Sequence, residues 1–272
     1  MGFFTNDEAE LARTFLTQGH VLAPAADRVQ LDRIRQFVVE RTAAALGEAP
    51  GGDHGEDPGA YLDGIHTRLD RSRLNELRLG LIEGLRATDW FREAYFACGR
   101  PLLEALVGNE LVMQRGLGLS IQLPGDESSL LPLHSDVWSE DSPFEVVLWI
   151  PLVDCFRTKS MFILPPEADA RWRDRMHAFA GGSAEAFTEA VADDLHYLEA
   201  PYGTVLCFTH TLMHGNRVNR EPTTRWSLNV RFKGLFTPYS DKQLGDFFDP
   251  ITLRPATRIG MGYRMPGGFG GE

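Results

Sequence analysis

Residues 131–138 read LPLHSDVW, and residues 214–227 read HGNRVNREPTTRWS. In an extended strand, residues i and i+2 point to the same face, so a strand through the first stretch presents His134 and Asp136 side by side. We predict that these two side chains grip one metal ion, with His214 from a distant strand as the third ligand. Two imidazoles and one carboxylate are the ligand set typical of non-heme Fe(II) sites, because they leave adjacent coordination positions open.

A second polar pair follows the last of these ligands. Arg225 lies eleven residues after His214, and Ser227 is two residues further on. If this stretch is extended, both side chains share a face and form a clamp for a carboxylate, because a guanidinium offers two parallel bonds and a hydroxyl adds a donor. An oxygenase that uses 2-oxoglutarate needs these two sites in this order. The sequence therefore predicts Fe(II), 2-oxoglutarate and O2 as the reactive components.

Each of these signals is weak when it is considered alone, and one ligand has a rival. His210 stands four residues before His214. We favour His214 because Gly215 and Asn216 follow it and indicate a tight turn after a strand. We expect His210 to support the ligands or to line the mouth of the site.

Other polar residues near the predicted strands are candidates for binding. Gln122 and Asn216 are predicted to contact 2-oxoglutarate, although a structural amide or a turn cap is an equal alternative. Trp138, Arg157 and Lys159 are predicted to meet the substrate. The alternatives are core packing for the tryptophan and solvated loop charges for the other two.

Composition limits the classes of partner. The chain has 272 residues, of which 43% are hydrophobic and 24% charged, with a formal net charge of -11 and no long basic run. Nucleic acid is therefore not an expected partner, and anionic membranes would be repelled. No apolar run is long enough to span a bilayer and no leader is recognised, so we expect a cytoplasmic enzyme with a small-molecule substrate. An odd cysteine count predicts reduced, buried thiols at Cys98, Cys155 and Cys207.

Periodicity predicts helices first and strands later. Helices are expected over 6–18, with Asn6 as the N-cap and Gly19 ending the helix, over 27–46, and over 69–106 with a break at Arg100-Pro101. A short strand is expected at His20–Leu22. Loops are expected at Pro50–Pro58 and Gly267–Gly271. A helical insert over about 167–195 interrupts the β-rich part, whose strands are predicted at Leu117–Leu123, Leu133–Val137, Glu145–Leu152, Met161–Leu164, Thr204–Thr209 and Ser227–Phe232.

These elements predict an α+β protein with a single domain over 1–272. A mainly helical layer (1–110) packs on a β core (111–235) that carries the site, and a C-terminal extension follows (236–272). No internal repeat is present in the sequence.

The chain resembles the Fe(II)/2-oxoglutarate oxygenases of the phytanoyl-CoA-dioxygenase-like branch. The resemblance covers about 5–25 and 111–235, and it rests on Leu133–Trp138, Trp149–Leu152 and His214–Asn216. It implies a double-stranded β-helix core, a cupin-like jelly roll, beneath an N-terminal helical layer. It also implies hydroxylation of a C–H bond, with desaturation or epimerisation as variants. The block from His134 to Pro166 is most similar to a bacterial subgroup associated with carbohydrate biosynthesis clusters.

One departure from this branch concerns the substrate. The branch usually has an Asn-Gly pair and a Gly-Ser-His after the third core strand, whereas this chain reads Thr158–Met161 and then Leu164–Pro166. An acyl-CoA substrate is therefore not carried over. We predict a small polar, carbohydrate-derived substrate, because the loops at 126–129, 139–142 and 157–160 are polar.

Two other functions fit the same residues. A metal-dependent hydrolase or isomerase on a cupin-like barrel would use the three ligands to hold Zn(II) and activate water. A non-catalytic carbohydrate-binding sandwich would use His134 and Asp136 only structurally. The hydrolase has no need of a second carboxylate clamp, and only the oxygenase should give a visible charge-transfer band with Fe(II) and 2-oxoglutarate.

Overall fold

Eight α-helices and ten β-strands form within residues 2–48 and 57–266, the part of the chain that the computed structural model describes. In chain order they are α1 (Asn6–Gln18), β1 (His20–Pro24), α2 (Arg28–Ala45), α3 (Pro58–Asp63), α4 (Leu74–Arg86), α5 (Phe91–Leu106), β2 (Leu111–Gln114), β3 (Gly118–Gln122), β4 (Glu145–Pro151), β5 (Phe162–Ile163), α6 (Pro166–Arg173), α7 (Ala184–Ala190), β6 (His196–Tyr197), β7 (Thr204–Thr209), β8 (His214–Gly215), β9 (Arg225–Gly234), β10 (Phe248–Pro250) and α8 (Pro255–Gly262). The predicted loop at Pro50–Pro58, up to residue 56, and the predicted loop at Gly267–Gly271 lie outside the described residues.

Two antiparallel sheets carry the strands. The larger has seven strands in the order β1-β7-β4-β9-β2-β10, and β3 also pairs with β9. The smaller has the order β6-β5-β8. Strand β9 has ten residues and pairs with β4 on one side and with β3 and β2 on the other. This mixture of helices and antiparallel sheets is the α+β class expected from the sequence.

The helices cover one side of the larger sheet. Helices α2, α4 and α5 turn an apolar stripe inward, and residues such as Leu31, Leu81 and Leu103 are buried in one core with β4 and β9. Burying a leucine in this way contributes roughly 1.5–3 kcal/mol. The larger sheet also takes β1 from the predicted helical layer and β10 from the predicted C-terminal extension. The larger sheet therefore includes strands that lie before and after the predicted β core (residues 111–235) in the chain.

The N-terminus of α1 corrects one prediction. The N-cap is Thr5 and not Asn6, which is the first helical residue. The Thr5 hydroxyl accepts from the Glu8 amide and the Glu8 carboxylate accepts from the Thr5 amide, which is a capping box. Thr5 stands three residues before Glu8, whereas Asn6 stands three residues before Ala9, so the spacing favours Thr5 over Asn6. Gly19 ends the helix as predicted, at φ 72°.

The predicted break at Arg100-Pro101 is wrong, because α5 runs unbroken from Phe91 to Leu106. A proline inside a helix costs about 3 kcal/mol through its missing N–H and a steric clash. Pro101 is exposed, whereas Cys98, Leu102 and Leu103 are buried. Burial of these neighbours outweighs the cost, at roughly 1.5–3 kcal/mol for each large apolar side chain.

The predicted strand over Leu133–Val137 is also wrong. Only His134 pairs there, in an isolated bridge with His214, and the chain then turns into a 3-10 helix at Asp136–Ser139. The Ser135 hydroxyl lies 3.0 Å from the carbonyls of both His210 and Thr211, which draws the chain out of the sheet direction. The remaining predicted strands form, but β2, β6 and β10 were not predicted. The helical insert consists of the two short helices α6 and α7 with 3-10 turns between and after them.

No helix in the described part of the chain combines the length and the apolar composition that crossing a membrane requires.

We predict that Gly99→Ala destabilises the protein. A Cβ at Gly99 would lie 2.6 Å and 2.7 Å from the two Leu148 methyl groups, because α5 packs closely on β4 there. Overpacking of this kind costs about 1–3 kcal/mol, which exceeds the gain of up to about 1 kcal/mol from replacing glycine in a helix. Urea unfolding measures the change. Gly80→Ala is the matched control, since a Cβ at Gly80 in α4 meets nothing within 4 Å and should stabilise.

Candidate metal centre and anion pocket

Two imidazoles face each other across the bridge between His134 and His214. The backbone amide of each donates to the carbonyl of the other, at 3.0 Å and 2.8 Å. Residues directly opposite in an antiparallel pair turn their side chains to the same side, and the ring centroids lie 4.4 Å apart. The two histidines are thus brought together by strand pairing rather than by their own side chains.

Backbone carbonyls fix the orientation of both rings. Nδ1 of His134 lies 2.9 Å from the Pro132 carbonyl, and Nδ1 of His214 lies 2.8 Å from the Leu212 carbonyl. A carbonyl only accepts, so Nδ1 carries the proton in each ring and Nε2 keeps its lone pair. Metal-binding histidines are oriented by outer partners in this way. Both Nε2 atoms are therefore ready to bind a cation.

The third donor is one oxygen of Asp136. Its Oδ1 lies 3.3 Å from Nε2 of His134 and 3.8 Å from Nε2 of His214. Ligand atoms that each lie about 2.1 Å from one ion at right angles are roughly 3 Å apart, so the three atoms are close to the spacing that a divalent metal requires. The three predicted ligands therefore converge, although Asp136 reaches the site from a 3-10 turn and not from a strand.

The other oxygen of Asp136 is already held. Oδ2 lies 2.9 Å from Nη2 and 3.3 Å from Nε of Arg231, and 3.4 Å from Nδ1 of His210. A guanidinium that meets one carboxylate oxygen with two N–H groups is a strong charge-assisted contact. Oδ2 is thereby turned toward Arg231, and Oδ1 is left for a metal.

These surroundings set the charge of the site. Although burial would raise the pKa of Asp136, the surrounding His134, His210 and His214 and the nearby Arg231 charge hold that pKa well below its usual range. Burial lowers the pKa of His214 to about 4, and the neighbouring His134 adds to the effect. Burial would lower the pKa of His134, but the Asp136 carboxylate favours the protonated ring, and the pKa of His134 is raised as a result. At neutral pH the site therefore holds an ionised carboxylate beside a neutral His214.

His210 lies behind the metal centre rather than at its mouth. Its side chain is fully buried, Nε2 lies 2.8 Å from the Ser142 carbonyl, and its own carbonyl accepts from the Asp136 amide at 3.2 Å. It contacts Asp136 on the Oδ2 side, away from the other two imidazoles. His210 thus lies against the carboxylate, which is one of the two roles expected from the sequence, and His214 is the histidine whose Nε2 faces Oδ1 of Asp136.

Arg231 is braced from the opposite side by a second acidic residue. Its Nη2 lies 3.5 Å from Oδ2 of the buried Asp141, whose other oxygen pairs with Lys242. By strand parity Arg231 shares a face with Arg225 and Ser227, so the sequence alone offers it as the alternative to Arg225 for binding a carboxylate. Its partners, Asp136 and Asp141, come from a separate loop and could not be identified from strand parity.

Arg225 is buried at another part of the same cavity with most of its donors unused. Its side chain is 3% exposed, and Nη2 donates to the Ser120 hydroxyl at 2.6 Å. Within the described residues, Nε and Nη1 have no hydrogen-bond partner, and neither has the hydroxyl of Ser227. A buried cation without a counter-ion is costly, so this cluster is built for an anion.

Two further predicted residues are engaged with the backbone. Gln122 pairs with Arg225 across β3 and β9, and its amide donates to the Arg217 carbonyl at 2.6 Å, which leaves its buried Oε1 without a partner among the described residues. Asn216 lines the cavity, but its Oδ1 accepts from the Leu131 amide at 2.6 Å. Asn216 therefore holds the 129–131 segment, a structural role that differs from the local turn cap considered from the sequence.

A cavity of about 460 Å³ joins the metal centre to Arg225. Strand β9 lines it with Arg225, Asn229 and Arg231, which alternate with the buried Trp226, Leu228 and Val230 on the other face. The remaining lining comes from Arg78, Gly118, Leu119, Ser120, Ser128, Ser129, Leu130, Leu131, His134, Asp136, Val147, Trp149, Met161, Phe208, His214, Gly215 and Asn216.

The structure does not bring the three predicted substrate residues to this cavity. Trp138 is 42% exposed on the turn that follows Asp136. Arg157 is exposed at the start of a 3-10 turn with φ 45°. Lys159 is buried, and its Nζ lies 2.6 Å from the carboxylate of Asp63, so a structural ion pair uses its charge.

Asn229 and Arg78 are among the polar residues of the cavity that were not singled out from the sequence. Asn229 follows Ser227 by two residues, so the same period-two argument that selected Arg225 and Ser227 would have found it. A Cβ at Gly118, which lies opposite Asn229, would be 2.5 Å from the side-chain amide of Asn229. Glycine at this position therefore leaves room for the Asn229 side chain. Arg78 comes from α4, and no local sequence signal distinguishes it from the other arginines of that helix.

Comparison with known proteins supports the fold. No protein-family model and no curated protein matches the chain. The solved structure of ThoJ, a non-heme monooxygenase in complex with nickel, matches with a TM-score of 0.53 at 15% identity over 88% of this chain and 82% of that one. EctD from S. alaskensis with 2-oxoglutarate and 5-hydroxyectoine gives 0.51 at 15% over 87% and 80%. SnoN, a non-heme alpha ketoglutarate dependent epimerase from nogalamycin biosynthesis, gives 0.51 at 14% over 86% and 85%. At these identities the likeness establishes a shared fold and carries no conclusion about the reaction that this chain catalyses.

We predict that Arg225→Met stabilises the ligand-free protein against urea. Replacing a buried, unpaired charge by an apolar side chain of similar length removes a desolvation cost, and the gain should be about 1–4 kcal/mol. Arg231→Met is the matched control, because it removes the same charge from the same strand face but leaves Asp136 without its cation and Asp141 with Lys242 alone. That variant should lose about 1–3 kcal/mol. Equal losses in both variants would contradict the view that Arg225 is uncompensated.

Proposed function

We propose that this chain is a non-heme Fe(II) oxygenase that couples the decarboxylation of 2-oxoglutarate to hydroxylation of a C–H bond in a small-molecule substrate. The observation that carries the proposal is the combination of two sites in one cavity. Three ligand atoms converge at His134, Asp136 and His214, and a buried guanidinium with unused donors lies at Arg225. The shared fold with the structures of non-heme oxygenases is consistent with it.

The residues at the metal centre fit a divalent ion with open positions. His134 and His214 would each offer Nε2, and Asp136 would offer Oδ1 because Arg231 holds its other oxygen. With 2-oxoglutarate and O2 bound, Fe(II) would supply the redox centre at which O2 oxidises both compounds, so that one oxygen atom would enter the substrate, the other would enter succinate, and CO2 would be released. The chain itself supplies orientation, two imidazoles that each present Nε2, and one ionised carboxylate.

Arg225 would hold the distal carboxylate of 2-oxoglutarate. Its Nε and Nη1 have no partner within the described residues, so an edge of the guanidinium remains for the carboxylate, and the Ser227 hydroxyl, which also has no partner there, lies on the same strand face. The Ser120 hydroxyl fixes the guanidinium by accepting from Nη2. The keto acid end would then point toward the metal centre, since both ends lie in one cavity.

The anion site at Arg225 also separates this proposal from the alternatives. A zinc hydrolase or isomerase on the same three ligands would not require a buried arginine with unused donors. A non-catalytic binding module would not require two imidazoles oriented by backbone carbonyls with Nε2 free. The oxygenase is the function that uses both features.

For the substrate, we retain the carbohydrate-derived class predicted from the sequence as part of the proposal. Of the three polar loops that motivated it, only 126–129 reaches the cavity, where Ser128 and Ser129 line the wall. Asn229 adds an amide to the lining, and no hydrogen bond within the described residues engages that amide. The residues at 139–142 and 157–160 do not line the cavity and do not support the substrate assignment.

We predict that His134→Ala and His214→Ala abolish binding of a divalent metal. Loss of an outer partner typically weakens metal affinity about 10–100-fold, so loss of a direct ligand should exceed about 100-fold. Isothermal titration of the metal-free protein with Ni(II) measures this without relying on turnover. His210→Ala serves as the control and should retain the metal with at most an outer-partner loss. If His214→Ala keeps its affinity while His210→Ala loses it, the third ligand is wrongly assigned.

We predict that Arg225→Met and Arg225→Lys weaken 2-oxoglutarate binding. Removing one partner of a desolvated charge pair costs roughly 2–5 kcal/mol, which corresponds to about 30-fold or more in the dissociation constant. The visible charge-transfer band of the anaerobic Fe(II) protein on addition of 2-oxoglutarate gives that constant. Metal affinity should be unchanged in both variants. A dissociation constant for 2-oxoglutarate that equals the wild-type value would remove Arg225 from the cosubstrate site.

A further inference from the structure

We propose that Arg78 anchors an anionic group of the substrate, so that the substrate class is a small organic anion with an apolar portion. The anionic group is a carboxylate or a phosphate, which present the same acceptor oxygens to a guanidinium. This inference rests on the proposed function, because it assigns the other cations of the cavity to 2-oxoglutarate and to the metal centre.

The first observation is the position of Arg78. It lies on α4, is half-buried, and lines the cavity that holds the metal centre and Arg225. Its recorded hydrogen bond runs from Nη2 to Oδ1 of Asn75 at 2.6 Å, within its own helix. Within residues 2–48 and 57–266, no carboxylate forms an ion pair with Arg78. A guanidinium has five N–H donors, so this bond leaves most of them for a ligand.

Two arginines close to Arg78 in the chain are, by contrast, engaged with other parts of the protein. Arg71, just before α4, donates to the Pro124 carbonyl at 2.9 Å, and Arg73 pairs with Glu76 at 3.7 Å. Both are used by the fold, and neither lines the cavity around the metal centre. Arg78 is the member of this group that borders the metal-centre cavity.

The second observation is the charge balance of the cavity. Among the lining residues, Arg78, Arg225 and Arg231 are cationic, and Asp136 is the one carboxylate. Arg231 is paired with Asp136, and the divalent ion and the divalent 2-oxoglutarate offset each other in charge. The bound complex would therefore keep a net positive charge at the substrate side. A neutral substrate would leave that charge uncompensated, whereas an anion would form charge-assisted hydrogen bonds in a partly desolvated site.

The third observation is the apolar wall beside the metal centre. Phe208 packs edge-on against His214 with ring centroids 5.0 Å apart, and Val147 and Leu119 extend the apolar lining toward α4. The cavity thus has an apolar wall near the metal centre and a cation, Arg78, on α4. A ligand with its apolar part near the metal and its anionic part toward α4 would match both features. A sugar acid or a sugar phosphate meets the anionic requirement, whereas an unmodified neutral sugar does not.

The test uses matched probes, since the natural substrate is not identified. The protein is loaded with Ni(II) and saturated with 2-oxoglutarate, which occupies Arg225 and the metal. Benzoate and phenyl phosphate are then titrated, with benzamide as the uncharged counterpart. We expect both anions to bind and benzamide to bind much more weakly. Arg78→Ala should weaken anion binding about 10-fold or more, Arg78→Lys should restore part of it, and benzamide should be unaffected.

Arg86→Ala is the matched control, because Arg86 lies on the same helix, is exposed, and does not line the cavity. It removes the same charge and should leave anion binding unchanged. Equal anion affinity in Arg78→Ala and in the wild-type protein, or equal binding of benzamide and benzoate, would overturn the inference. An equal loss in Arg86→Ala would also overturn it, because the effect would then reflect net charge alone.

Failure of this inference can be told apart from failure of the proposed function. Binding of 2-oxoglutarate is measured first on the same Ni(II)-loaded samples of the wild-type protein, Arg78→Ala and Arg225→Met. If 2-oxoglutarate does not bind the wild-type protein, the oxygenase proposal fails before any probe is added. If it binds in an Arg225-dependent manner while the anion probes ignore Arg78, only the substrate inference fails.

Discussion

The period-two alternation of β9 is the constraint on which the site depends. The strand lies inside the larger sheet, so one of its faces is packed in the core and the other lines the cavity. Trp226 and Val230 belong to the core face, whereas Arg225 and Arg231 belong to the cavity face. A slip of one residue against β4 would exchange the two sets and place both guanidiniums in the core. The cost of burying charge in an apolar layer excludes such a register. The packing of β9 therefore also fixes the positions of Arg225 at the anion site and of Arg231 beside Asp136.

Features that depend on residues close in sequence could be predicted. The spacing of Arg225 and Ser227 was read as a shared strand face, and both lie in β9 as expected. His134 and Asp136 also lie together, but through a bridge followed by a 3-10 turn and not through the shared strand face that their spacing implied. The end of α1 at Gly19 was likewise set by local chemistry, since a left-handed residue closes the helix there. Hydrophobic runs also indicated most long strands, because the core face of a strand reads directly as alternation or as a continuous apolar run.

Features that arise from contacts between distant segments could not be predicted. The predicted strand at Leu133–Val137 fails because the Ser135 hydroxyl bonds to carbonyls 75 and 76 residues away. Asn216 is occupied by the backbone of Leu131, and Lys159 is occupied by Asp63, and neither partner can be inferred from spacing. Arg78 enters the cavity only because α4 packs beside β3. In each case the tertiary arrangement decided the role, while the residue type allowed several.

The pairing of β1 with β7 has a consequence for the behaviour of the chain outside its own fold. Five residues, His20 to Pro24, cover one side of β7, whose Val205, Leu206 and Cys207 are buried. If β1 detached, β7 would become an open sheet edge, with unpaired amides and carbonyls beside apolar side chains. Edges of that kind recruit strands from other molecules and promote aggregation. By pairing with β7, this short N-terminal strand therefore also protects the sheet edge from self-association. This effect does not depend on any contact between β1 and the site.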